Sequence, residues 1–146
     1  MKRITILAFI FALMTIGALA QKSEEAAARV PLENYLKGHE TGNPEYMKKA
    51  FHSEGNLIFI RNGKYETRTF ADYISAMRGQ PAADEAKRKR YIESVDVFGD
   101  AAVGKIVLDY PEVKIVDYMT MLKINGEWKI VNKSFWAQPV PKAAGN

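Results

Sequence analysis

Apolar and polar positions alternate most regularly between Tyr118 and Trp136, where two β-periodic runs flank Asn125-Gly126. A two-residue turn there would set Lys123 opposite Trp128 and mix a charge with core residues. A three-residue loop, Ile124-Asn125-Gly126, with Gly126 in the left-handed region, separates apolar from charged side chains better. It pairs Leu122 with Trp128, Thr120 with Ile130 and Tyr118 with Asn132. The sequence therefore predicts an inner face of Tyr118, Thr120, Leu122, Trp128, Ile130, Asn132 and Trp136. The outer face then carries Asp117, Met119, Met121, Lys123, Glu127, Lys129, Val131, Lys133 and Phe135.

Upstream, Ser23 can cap a helix that begins at Glu24, and Pro31 predicts a kink or restart in it. Leu32, Tyr35, Leu36 and His39 follow at i, i+3, i+4, i+7, one face of a helix. Asn43-Pro44 opens a short second helix with Met47, Ala50 and Phe51 inward. Leu57–Ile60 reads as a strand that turns at Asn62-Gly63 into Lys64–Arg68. Thr69 and Asp72 resemble a capping pair for a third helix with Phe70, Tyr73, Ile74 and Met77 on one face. The polar stretch Gly79–Arg90 reads as a loop, with Lys87-Arg88-Lys89-Arg90 as a solvated charge run. Strands Tyr91–Phe98 and Ala101–Tyr110 turn at Gly99-Asp100. Tyr91, Glu93, Val95, Val97, Ala102, Gly104, Ile106 and Leu108 then share a face. Pro111 breaks the ladder, and a further strand rises from Val113.

Helices followed by a long antiparallel meander predict an α+β fold. A curved antiparallel sheet wrapped around the N-terminal helices leaves a cone whose open mouth is the default site. The 146 residues fit one domain. Residues 1–20 combine a basic start, an apolar run and Ala18-Leu19-Ala20, which predicts a signal peptide cleaved after Ala20 and a periplasmic or secreted protein. Residues 21–138 form the domain, and 139–146 a loose tail. No cysteine follows the cleavage site, so no lipid anchor and no stable membrane attachment are expected.

The net charge of +4 falls to +2 once Lys2 and Arg3 are removed, which gives no support to a nucleic-acid partner. Without cysteine, and with His39 and His52 on separate elements, neither a metal site nor a cofactor is expected. Pocket candidates are Tyr35, His39 and Tyr73 from the helices, His52 at a helix end, and Tyr118, Asn132 and Trp136 from the sheet. Each has an ordinary structural alternative as a hydrogen-bonded core or capping group. No paired acids for isomerase chemistry are evident: Asp96, Asp109 and Asp117 fall outside in this register, and Glu93 alone falls inside. Met119, Met121, Val131 and Phe135 form an apolar outer stripe that predicts a homodimer through the sheet.

Read in full, the chain resembles the lumazine-binding family of the nuclear-transport-factor-two-like cone superfamily. Tyr35-Leu36-Lys37-Gly38-His39, Met47 through Phe51-His52, Val95–Ala102, Asp117-Tyr118 and Gly126–Lys133 carry the resemblance. It implies a bacterial source and an unnamed small-molecule ligand in the cone. Isomerases, cyclases, dehydratases and ligand-free interaction modules share that fold, so the fold alone does not choose among them.

Overall fold

The computed structural model describes the backbone of residues 2–141 and the side chains of residues 21–141. The expected leader, 1–20, and the end of the expected tail, 142–146, lie outside the residues described in full. Helix α1 (Lys2–Thr41) is followed by α2 (Pro44–Ala50), the hairpin β1 (Phe51–Arg61) and β2 (Lys64–Thr69), and α3 (Phe70–Ser75). A 3-10 turn, Glu85–Lys87, leads into β3 (Lys89–Phe98), β4 (Ala101–Asp109), β5 (Val113–Ile124) and β6 (Glu127–Pro139). The six strands form one curved, unclosed sheet in the order β2-β1-β6-β5-β4-β3. One pairing departs from the expected antiparallel pattern, because β1 runs parallel to β6. The fold is α+β, with the helices on the concave face.

Helix α1 continues through Pro31, which is buried, so the helix does not restart there, and Ser23 is an interior residue, not a cap. Ala28, Leu32 and Tyr35 lie at i, i+4, i+7 and are fully buried against the sheet. Gly104 on β4 makes that approach possible: a Cβ there would lie 2.6 Å from Leu32 Cδ1. Gly104→Ala is therefore expected to cost ~1–3 kcal/mol through overpacking. Urea titration should show a lower midpoint at unchanged slope. The two smaller helices begin as their caps require. Asn43 accepts from the Glu45 amide at 2.9 Å, and Thr69 accepts from the Asp72 amide at 3.0 Å.

The hairpin register corrects the sequence reading. Asn125 and Gly126 both have positive φ (51° and 85°), giving a two-residue turn with Ile124 opposite Glu127, Lys123 opposite Trp128 and Met121 opposite Ile130. Lys123 is tolerated beside Trp128 because Glu24 on α1 accepts from both side chains, at 2.8 and 3.3 Å. The charge that argued against this turn thus has a partner on a distant element. A register shift between Thr120 and Met121 then sets Thr120 opposite Asn132 and Met119 opposite Lys133.

Trp128 and Ile130 stay inward as expected, but the faces of β5, and of β6 beyond the shift, exchange. Asp117, Met119 and Met121 point into the core and are 0–1% exposed, while Tyr118 and Trp136 stand 55% and 62% exposed on the convex face. Met119 and Met121 therefore form no surface stripe. Val131 is half-buried, and Phe135 packs on Phe59 with centroids 4.9 Å apart. In β3 a second irregularity, between Ile92 and Ser94, leaves Val95 and Val97 inward as expected but turns Tyr91 and Glu93 outward. Glu93 there pairs with Lys105.

Candidate functional site

Three of the seven pocket candidates converge. Tyr35 and His39 lie one turn apart on α1, and Tyr73 on α3 faces them. Tyr73 Oη lies 3.0 Å from His39 Nε2, and Tyr110 Oη lies 3.4 Å from His39 Nδ1. Below them β5 and β6 contribute two buried charges. Lys133 Nζ donates to Asp117 Oδ1 and to Tyr35 Oη, both at 2.8 Å, and Tyr35 Oη donates to Asp117 Oδ2 at 2.7 Å. Lys133 is 4% exposed and Asp117 is fully buried. Asp117 is thus the acid inside the cone, where the sequence reading placed Glu93.

An ammonium carries three donor hydrogens, and the described contacts of Lys133 use two. Lys133 lines a cavity of 320 Å³ whose other walls include His39, Tyr73, Phe59, Phe135 and Arg68. A second, more open cavity of 770 Å³, under residues 76–83, shares His39, Tyr73 and Arg68. Both volumes fall in the range of small-ligand sites. Gly42 (φ 68°) brings the end of α1 against the Gln80 backbone, where any Cβ would collide, and so fixes the edge of the larger cavity.

Burial sets the protonation of the group. It pushes the His39 imidazole down to about 3, aided by the positive charges of Lys133, Arg90 and Arg88, so the ring is neutral at physiological pH. One ring nitrogen then donates and the other accepts between the two tyrosines. Burial also raises the Tyr73 hydroxyl, and raises Tyr35 well above the usual phenol range with help from the Asp117 charge. The Lys133 ammonium is pushed down by burial, which Asp117 only partly offsets.

The other candidates lie elsewhere. Asn132 Nδ2 donates across the β1–β6 seam to Asn56 Oδ1 at 2.7 Å, a structural role on the convex face. Tyr118 and Trp136 share that face and do not meet Tyr35 or Tyr73. His52 sits on β1, where Nδ1 accepts from the Glu54 amide at 3.3 Å, and it borders an apolar cleft between α2 and α3. Arg88 and Arg90, read as a solvated run, instead pair with Asp84 and Glu85 and lie over the Tyr110 ring at 4.3 and 5.5 Å. Asp117, Lys133, Tyr110 and Arg68 were not picked out from the sequence. The Asn-Gly dipeptide at 125–126, taken at face value as a two-residue turn, would have turned Asp117 inward. Among the described residues no cluster of three or more His, Cys, Asp or Glu side chains is placed to hold a metal ion.

An open cone with helices on its concave face, an apolar wall and a buried lysine–carboxylate–tyrosine group defines a pocketed domain of the NTF2-like type. Residues 23–136 match the family described as "Putative lumazine-binding", and the chain belongs to that family. An NTF2-like protein of unknown function from Shewanella baltica superposes with a TM-score of 0.72 at 22% identity, over 81% of this chain and 96% of that one. A second, from Silicibacter pomeroyi, gives 0.69 at 21% identity over 80% and 98%. Aldolase FrzH of Cladobotryum sp is 24% identical over 107 residues, 72% of this chain and 84% of that protein.

Proposed function

We propose that the protein is an exported domain that holds a small, flat, partly apolar molecule bearing a carbonyl or carboxylate oxygen in the cone. The observation that carries this reading is the buried Lys133 ammonium, which bonds two oxygens among the described residues and can donate to a third, at the edge of an aromatic-walled cavity. An oxygen acceptor there would satisfy the third N–H, while Phe59 and Phe135 cover an apolar ring. Arg68 offers a positive rim for a carboxylate. The family's description agrees with a small-molecule ligand. Export rests on residues 1–20.

The test is a thermal-shift and heteronuclear NMR screen against pterins, flavins, steroids and aromatic acids. A saturable ligand should perturb Lys133, Phe135 and Tyr73. Phe135→Ala should weaken it by about tenfold, equivalent to ~1.4 kcal/mol. Tyr118→Phe and Asn132→Ala should leave affinity unchanged, because both lie across the sheet from the cavity. A panel without saturable shifts in these residues would refute the pocket reading.

A second reading, catalysis, is favoured by the Lys133–Asp117–Tyr35 group together with the resemblance to an aldolase. Its mark would be turnover that is lost when Lys133 or Asp117 is replaced.

The homodimer moves to the residues now known to be exposed. Val103, Tyr118, Leu122 and Trp136 give the convex face apolar area that a second copy would cover. Light scattering after size exclusion should show a dimer for the wild type and a monomer for Tyr118→Glu/Trp136→Glu. A monomeric wild type at micromolar concentration would refute the contact.

A further inference from the structure

The pocket reading leaves unexplained why a lysine, and no neutral donor, ends at the cavity. Lysine is costly to bury, and a neutral hydroxyl or amide could satisfy a ligand oxygen without a charge pair. The particular property of an ε-amine is nucleophilicity once it loses its proton. Asp117 Oδ1, 2.8 Å from Nζ, is placed to take that proton, and Tyr35 Oη supports the carboxylate from its other oxygen at 2.7 Å.

We propose that Lys133 captures an aldehyde or ketone covalently, as an imine inside the cone cavity. This inference rests on the pocket reading and deepens it to a ligand class. The ammonium passes a proton to Asp117. The freed amine lone pair attacks the carbonyl carbon, and the C=O π pair moves to oxygen. That oxygen takes the proton back from Asp117, and a proton leaves nitrogen for the hydroxyl as the C–O bond breaks. Water departs and C=N forms. One ammonium and one carbonyl give one iminium and one water, with no change of oxidation state.

The surroundings suit each part of this step. Burial lowers the cost of deprotonating the amine. The Lys133 head lies 4.5 Å from the Phe135 ring centroid and 5.8 Å from that of Tyr73, so the flanking surface is aromatic and suits a conjugated carbonyl. His39 and Tyr73 line the same cavity from α1 and α3, Arg68 lies on its wall, and Tyr110, just past the end of β4, holds His39 from its other ring nitrogen.

The experiment uses 4-formylbenzoate, which has a flat ring, an aldehyde and a carboxylate for Arg68. Its control is 4-(hydroxymethyl)benzoate, which has the same outline and cannot form an imine. The protein is incubated with the aldehyde and cyanoborohydride at neutral pH. Peptide mapping by mass spectrometry then locates the reduced secondary amine. The expected result is at least about tenfold more adduct at Lys133 than at any exposed lysine, as positioning in the cavity predicts. An excess of the alcohol should suppress it. The double variant Lys133→Met/Asp117→Leu removes the nucleophile and the stranded acid together, so it should fold and lose only that adduct. Wild-type mapping needs no variant and decides the matter by itself. Adducts spread evenly over exposed lysines, while NMR shows the alcohol in the cavity, would overturn the imine and leave the pocket standing. Neither selective adduct nor alcohol binding would overturn both for this class of ligand.

Discussion

Lys133→Met is expected to lower the melting temperature by roughly 10–20 °C, from a loss of ~3–5 kcal/mol. The loss comes from what remains more than from what is removed. Asp117 is fully buried, and among the described side chains it keeps the Tyr35 hydroxyl alone once Lys133 is gone. A carboxylate in that position must either hold an uncompensated charge or take up a proton on folding. Adding Asp117→Leu should restore most of the loss, because an apolar pair of similar volume in place of a buried ion pair is often neutral or stabilising. Thermal melts of the wild type, the single and the double variant check both statements. A single variant melting within a degree or two of wild type would show that the pair is already neutral or hydrated. If the double variant proves as stable as wild type, folding does not require the ion pair, and its presence is left to the chemistry of the cavity.

The same residues show where sequence reasoning reached and where it stopped. Helix faces were legible because their signal is local. Leu32, Tyr35 and His39 repeat at helical spacing, and Thr69 caps α3 through a contact three residues away. Turn chemistry was equally legible at Asn62-Gly63 and Gly99-Asp100, where two-residue turns set the observed registers. The last hairpin failed because its decisive fact is not local. Lys123 stands beside Trp128 only because Glu24 accepts from both, and Glu24 is about a hundred residues away in sequence. Judged without that partner, Lys123 argues against the two-residue turn, and a one-residue slip moves every side chain of β5 to the opposite face.

That single inversion accounts for most of the misplaced site. Asp117 goes outside, Tyr118 goes inside, and Met119 and Met121 become a false dimer stripe, whereas Trp136, on β6 beyond the irregularity, is turned inside for the same reason that hides Lys133. Lys133 escaped for a second reason. A strict alternation from Ile130 would put Lys133 on the opposite face, and the shift between Thr120 and Met121 brings it back into the cone. Bulges answer to sheet curvature and carry weak sequence signals, so an ionisable residue just past one is easily assigned to solvent. His39 and Tyr73 were found because helices hold their phase, whereas their link to Tyr110 awaited the structure.

His39 gives the second large effect, and its sign follows from the ring's neutrality. In the unfolded chain the imidazole has its ordinary pKa of 6.5, and in the folded protein it falls to about 3. Between these values the unfolded state binds more protons than the folded one, so stability rises with pH across the window and is lost as pH falls below 6.5. The limit for one proton is ~1.4 kcal/mol per pH unit. His39 keeps some contact with the solvent of the cavity, which reduces the slope below that limit. Three groups of positive charge oppose its protonation, namely Lys133 from β6 and Arg88 and Arg90 beside Tyr110. Tyr73 and Tyr110 hydrogen-bond the ring from either side, and both remain neutral throughout. His39→Gln keeps a donor and an acceptor for the two tyrosines but cannot titrate. Its melting temperature should lie near or below that of wild type at pH 7 and fall less steeply between pH 6.5 and 4. Subtracting the two profiles removes the carboxylates, which titrate in both proteins. Parallel profiles would mean that His39 is protonated in the folded state as readily as in the unfolded one, and that the cavity floor is wetter than its geometry implies.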